Sequence, residues 1–346
     1  MTHTERLMNT AREYIVSNKQ SDWVFAYAGG SVGRGDADAY SNLNLYIVVS
    51  SIDCKWNCSN VLYDGVTIHL NIQSWEGSGV MRSKPWAHRF LREARIVYDP
   101  HGAFDSLKPA ALEYFESAEG RRKMLVQSQE QVQHYLQCLD SCIRNDDLLG
   151  ASLAVQAAWM AATSSVAWMR HGACSNGRVL SIIQTEEPET YTAFRSICAQ
   201  ENAVPIDGSL MSLANYRHYL REQNGSISGL EPVMDMQIAR KVERMLSAGS
   251  EIHTVHWLLR REAVRCYIAA GGTFRNFGIH YHRSPYPIQH HLDQLGFIAY
   301  SSKQLSELLR QVDRLADQAK RASEITIHEI SRESGIVGKS DRNQTS

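Results

Sequence analysis

The sequence carries almost no net charge: 36 Lys and Arg stand against 37 Asp and Glu, leaving −1. Nothing global therefore draws the chain to nucleic acid or to an anionic membrane, although such a balance still permits a local basic pocket. The opening MTHTERLMNTAREYIV lacks the apolar core and small-residue cleavage site of a secretory leader. The most apolar stretch, Leu148 to Met169, is broken by Ser152, Gln156, Thr163, Ser164 and Ser165 and is rich in Ala, which reads as a buried helix rather than a membrane span. There is no CxxC pair among the seven cysteines; Cys54/Cys58 and Cys138/Cys142 are spaced i, i+4, which suits no common zinc site. Reduced, structural thiols in a cytoplasmic protein are expected. No internal repeat is present.

What is there is a soluble, globular composition, 43% hydrophobic and 21% charged, over 346 residues, enough for two domains with separate cores. Leu7, Ala11, Tyr14 and Ile15 give residues 4–18 a helical period. DWVFAYA (22–28) reads as a strand entering a Gly-Gly turn, and 42–49 as a second strand. After a hairpin turn at Tyr63-Asp64-Gly65, Val66, Ile68, Leu70 and Ile72 alternate with Thr67, His69, Asn71 and Gln73, so a third strand ending near Trp75 carries a polar face. A helical pattern over 86–95 precedes a short strand at 96–98. Beyond residue 115 the strand signal nearly vanishes. Residues 119–144, 147–170, 251–270 and 302–325 are helical by period, the last with a stripe of Leu305, Leu308, Leu309, Val312, Leu315 and Ala319. Residues 200–250 are ambiguous. The expected architecture is α+β: a domain over 1–115 with a small mixed sheet, an all-α bundle over 116–335, and a disordered polar tail over 336–346.

Residues 29–45, GGSVGRGDADAYSNLNL, join the first two strands. Gly30-Ser31, then Gly33-Arg34-Gly35, then Ser41-x-Leu43-x-Leu45 follow the order and spacing of the nucleotidyltransferase superfamily of the DNA polymerase β type, whose pattern is Gly-Ser, a variable loop, then Ser-Asp-x-Asp-Leu. The chain resembles that family, in the style of the antibiotic nucleotidyltransferases with a helical second domain, over roughly residues 5–185. AHRFLREARIVYDPHGAFDSL (87–107) is similar to the segment that closes the family's catalytic domain, and 145–183 to the bundle helices that follow, with Arg178 near a position where the family often carries Lys. The resemblance implies two Mg²⁺ ions held by two acids at i, i+2 on one strand and a third acid on its neighbour. Here the pair is Asn42 and Asn44, and the neighbouring strand offers His69 and Asn71. A unit charge pair at about 4 Å contributes roughly 4 kcal/mol at an effective dielectric near 20, and a divalent ion about doubles that. Amides do not replace such anions, so ordinary two-metal transfer is not expected; Asp36 and Asp38 in the loop, or Glu76 beyond the third strand, are the candidate substitutes.

Gly30 and Ser31 with free backbone N–H groups, and Arg34 as a bidentate clamp, are candidates for anion binding; a tight turn and a solvated charge are the plain alternatives. His69 is the candidate general base or acid, with Asn42, Asn44 and Asn71 as orienting amides. FGIHYHRSPYPIQHHL (277–292) reads as an ordered loop in which His280 and His282 line a pocket, ligate a metal or simply pack. His253, His256 and Arg260 share a helical face, read as solvated or facing a cleft, and Glu262 with Arg265 reads as a helix ion pair. Trp159 and Trp168 read as core. Three functions follow: a metal-independent enzyme acting on a small molecule by proton transfer, cyclisation, elimination or acyl chemistry; a pseudo-enzyme binding a nucleotide or a protein; and an active nucleotidyltransferase with relocated acids. The first takes no cofactor and no metal; a small-molecule substrate is the expected partner, a nucleotide the alternative, and neither nucleic acid nor membrane is expected.

Overall fold

The computed structural model describes residues 1–50, 57–75, 77–173, 175–198, 204–225 and 227–340. It opens with α1 (His3–Asn18), started by a capping box in which the Thr2 hydroxyl accepts from the Glu5 N–H while the Glu5 carboxylate accepts from the Thr2 N–H. Strand β1 (Trp23–Gly29) leads into the single-turn α2 (Gly30–Arg34), followed by β2 (Leu43–Val49), β3 (Asn57–Tyr63) and β4 (Val66–Ser74). Short helices α3 (Gly77–Ser83) and α4 (Pro85–His88) and a 3₁₀ turn at Arg89–Glu93 precede β5 (Arg95–Tyr98) and α5 (Ala103–Glu116).

Among the described residues the five strands form one mixed sheet in the order β3-β4-β2-β1-β5, with β2 and β4 parallel and the other neighbours antiparallel. The third strand expected from sequence is the second arm of a hairpin, turned at Asp64 and Gly65, both at positive φ. Its first arm, opening Asn-Cys-Ser-Asn, has no apolar alternation to announce it. One sheet face buries Leu43, Leu45, Ile47, Ile68 and Leu70 against Leu7, Ala11 and Ile15 of α1, each large side chain contributing about 1.5–3 kcal/mol. The other face is divided. At one end Phe25, Tyr27 and Val48 join the core of the helices; at the other the strands carry polar groups.

The β1–β2 corner is tightly constrained at Gly33, where an added Cβ would lie 1.9 Å from the Glu93 carbonyl oxygen and 2.8 Å from that of Ala28. Gly33→Ala must displace backbone on both sides and is expected to cost about 1–3 kcal/mol or more in urea unfolding; an unchanged midpoint would contradict that packing.

The rest of the chain is helical: α6 (Ala118–Arg144), α7 (Leu148–His171), α8 (Asn176–Glu186), α9 (Pro188–Cys198), α10 (Ile206–Asn224), α11 (Val233–Ser247), α12 (Ile252–Ala269), α13 (Phe277–Arg283), α14 (Tyr286–Gln294) and α15 (Ser302–Ser340). The Ala-rich α7 is buried on nearly every side because its small residues let α6 and α15 approach closely. Trp159, fully buried, stacks on Phe194 at 3.7 Å between ring centroids, and Trp168 is buried too, as expected of core. Among the described residues no helix is long and apolar enough to cross a membrane. Two expectations are corrected. Residues 277–292 are not a loop but α13 and α14, with Pro285 capping α14 and Pro287 in its first turn, a position where the missing N–H is harmless. The 200–250 region holds two full helices, α10 and α11. The last helix runs on through Ser340, into the stretch expected to be a tail.

Candidate active site

Register decides which side chains share the polar sheet face. Asn44 stands beside His69, and Tyr46 beside Asn71, across the parallel β2–β4 pair. Asn60 and Cys58 of β3 stand opposite His69 and Asn71. Gly30, at φ +63°, lies under this face: the Asn44 Nδ2 is 2.6 Å from where a Gly30 Cβ would be, so only glycine admits the amide there.

His69 is held by a relay. Its Nδ1 is 2.6 Å from the Asn60 Oδ1. Asn60 donates its Nδ2 to Glu231 Oε2 at 2.8 Å and its backbone N–H to Glu231 Oε1 at 3.1 Å, and the Gly229 N–H donates to Oε2 at 2.8 Å. Because the Asn60 amide nitrogen is spent on the carboxylate, its oxygen faces the imidazole and must accept. The His69 proton therefore sits on Nδ1, and Nε2 carries the lone pair. Burial pushes the imidazole below its ordinary 6.5, Arg265 pushes the same way, and Glu231 and Glu262 oppose. At neutral pH His69 is thus an uncharged base of fixed tautomer.

The charges around it come from the helices. Glu262 of α12 pairs with Arg265 at 2.8 Å. Burial raises the Glu262 carboxyl, but Arg265, Lys241, Arg261 and Arg217 together outweigh it and hold the group ionised. Burial pushes Lys241 of α11 below the usual lysine range, against the pull of Glu262. The sheet contributes neutral amides and an imidazole, and the helices contribute an excess of cations.

This donor set does not fit a pair of Mg²⁺ ions, which are held chiefly by anionic oxygens. No strand residue described on this face is an acid, and among the described residues no three His, Cys, Asp or Glu side chains converge as metal ligands. The substitute acids are occupied elsewhere. Asp36 takes the Arg34 Nε at 3.0 Å. Asp38 accepts from the Tyr40 N–H and the Ser41 hydroxyl and faces Arg244 of α11 at 3.5 Å. Glu76 lies outside the described residues.

The remaining candidates scatter. Ser31 donates to the Ser41 hydroxyl at 3.2 Å. Arg34 spends Nη1 on the buried Glu93 at 2.8 Å as well as Nε on Asp36, and so braces the turn. Asn42 stands half-buried just ahead of β2, and Asn71, on the same strand face as His69, is buried with its carbonyl accepting from the Cys58 thiol at 3.1 Å. Arg178 is exposed on α8, which packs on α7 and α9 and not beside the strand face. His280 bonds the Tyr216 hydroxyl at 2.9 Å among Tyr267 and Phe277, and His282 points outward beside Tyr281; neither joins His69. The face of His256 and Arg260 is not solvated: His256 meets the Ser209 hydroxyl at 3.1 Å, and Arg260, 4% exposed, donates to the carbonyls of Gly296 and Cys198. Asn60 and Glu231 were missed from the sequence, the first because its strand is polar, the second because it lies 171 residues away. The Glu262–Arg265 pair was legible as a pair but not as a neighbour of His69.

What the chain defines is an α+β unit with a small mixed sheet, joined to a long helical region whose basic side chains face the polar strands. No protein family matches the chain, and no curated protein matches it. Among solved structures, it is similar to a nucleotidyltransferase-like protein from Exiguobacterium sibiricum 255-15, at 12% identity and a TM-score of 0.35, over 57% of this chain and 68% of that one.

Proposed function

We propose that this is a nucleotidyltransferase-like protein that has given up two-metal nucleotidyl transfer and acts as a metal-independent enzyme on a small molecule, with His69 as general base. Residues 1–115 serve as the sheet domain and 116–335 as the helical domain, and the substrate lies where His69 meets α11 and α12. The carrying observation is the Glu231–Asn60–His69 relay, 2.6 Å at its imidazole end. It sets the tautomer that leaves Nε2 able to take a proton, and burial keeps that nitrogen unprotonated. Asn44 orients the substrate from the adjoining strand. Lys241 and Arg265 stabilise negative charge as it develops on the substrate. Proton transfer, cyclisation, elimination and acyl chemistry all begin with such a base.

Calorimetric titration with ATP tests the loss of metal chemistry. The expected result is that Mg²⁺ leaves any ATP affinity within about threefold, because the face offers the ions no anionic ligands. A tenfold or greater gain on adding Mg²⁺ would restore the nucleotidyltransferase reading. Tight, Mg²⁺-independent ATP binding without turnover of any ligand would favour a pseudo-enzyme.

A further inference from the structure

Between α6, α7 and α12 lies a cavity of about 340 Å³, within the range that holds small organic ligands. Arg89, Arg260, Arg261 and Arg265 line it, and among the described residues no carboxylate does. We propose that this cavity is the binding site for a small organic polyanion, a phosphoryl or polycarboxylate compound, and that this is the substrate class brought to His69.

Like charges repel, so four guanidinium groups converge on one space only if something holds them there. Two are held flat by aromatic rings. Arg89 lies 4.2 Å over Trp86 and 4.3 Å over Phe90, and Arg261 lies 5.6 Å over Trp257. Arg260 is fixed by the carbonyls of Gly296 and Cys198, to which it donates at 3.0 and 2.8 Å. Planar guanidinium forks suit the paired oxygens of phosphoryl and carboxylate groups. Tyr135 and Phe274 on the same wall offer apolar surface for the body of the ligand. Arg265 lines the cavity from α12 while holding Glu262 at 2.8 Å, and its charge reaches as far as His69. An anion seated against Arg265 also relieves the cationic pressure on the base.

The inference rests on the proposed function for its reaction but not for its binding. Inorganic pyrophosphate, citrate and glucose 6-phosphate serve as probes, with spermidine as the cationic control, in calorimetry and thermal-shift titrations of the full chain. At least one anion is expected to bind saturably, with affinity falling as NaCl rises, and spermidine is expected not to bind. Arg265→Gln, at a half-exposed position, is expected to weaken binding about tenfold. Ala157→Phe fills the cavity without removing a charge and is expected to abolish binding with little loss of thermal stability. His69→Gln is expected to keep anion affinity within about twofold. Absence of saturable anion binding, or equal affinity in Ala157→Phe and wild type, would overturn the site. If anions do not bind but His69 is still required for turnover, this inference falls and the proposed function stands. If anions bind in the cavity and His69 proves dispensable, the reverse holds.

Discussion

Arg217→Met is expected to cost about 3–5 kcal/mol in urea unfolding, a large fraction of the roughly 5–15 kcal/mol that stabilises an ordinary domain. Arg217 sits on α10 with no exposed surface. It pairs with Asp235 through Nε, donates Nη1 to the Gly229 carbonyl at 3.0 Å and to the Cys266 sulfur at 2.8 Å, and donates Nη2 to the Glu231 carbonyl at 3.1 Å. Methionine fills much of the space but leaves those carbonyls without a donor, and the cost of orphaned buried groups dominates over any gain in apolar contact. Asp235 retains Arg221 at 3.0 Å, which keeps the loss below that of a wholly unpaired ion. The change also has a remote signature. Arg217 anchors the turn that carries Glu231, so loosening it weakens the grip on Asn60, and with the upward pull of Glu231 reduced the His69 titration moves further below 6.5. A loss under about 1 kcal/mol, with His69 unmoved by NMR, would show that the network braces nothing.

His69→Gln is expected to reduce turnover of the bound ligand by about 10²–10⁴-fold, the range for removal of a positioned general base. Glutamine keeps polarity and approximate length and loses only the ability to take a proton. In the wild type, kcat is expected to fall on the acid side as Nε2 protonates, at a pH below 6.5 because burial holds the group down. Stability follows the same direction. His69, His256, His280 and His291 are all pushed below 6.5 by burial. As pH falls through 6.5 the unfolded chain binds protons that the folded chain refuses, so stability is full above that pH, declines below it, and levels off only once the folded groups protonate. Thermal melts from about pH 8 to 5 check this, and His69→Gln is expected to flatten part of the slope. Unchanged turnover in His69→Gln would remove the residue from the mechanism.

The fold was legible wherever one periodicity ran uninterrupted. The stripe from Leu305 to Ala319 and the alternation from Val66 to Gln73 each describe an apolar face turned to a core, and the structure places the first among the helices and the second against α1. Reading failed where burial is polar. Arg217 interrupts the apolar face of α10, which hid that helix among ambiguous residues, although the arginine is as buried as any leucine. Prolines at 285 and 287 suggested a loop but start a helix. The candidate site was half legible. The loop motif led to Asn44 and His69 on one face, but Arg34 has its partners within its own corner, and His280 serves its own aromatic cluster. Local sequence could not supply Glu231, since its role depends on a contact between chain segments that meet only in the folded molecule.

That contact has a consequence of its own. One carboxylate at the edge of the helical region orients an amide on the outermost strand, and the amide orients the ring beside it. Were the two halves to part by even a couple of ångströms, roughly the slack at which a hydrogen bond is lost, the ring would revert to the tautomer mixture of free imidazole. In the proposed mechanism, reactivity is therefore tied to closure: the base would be armed only while sheet and bundle are in register.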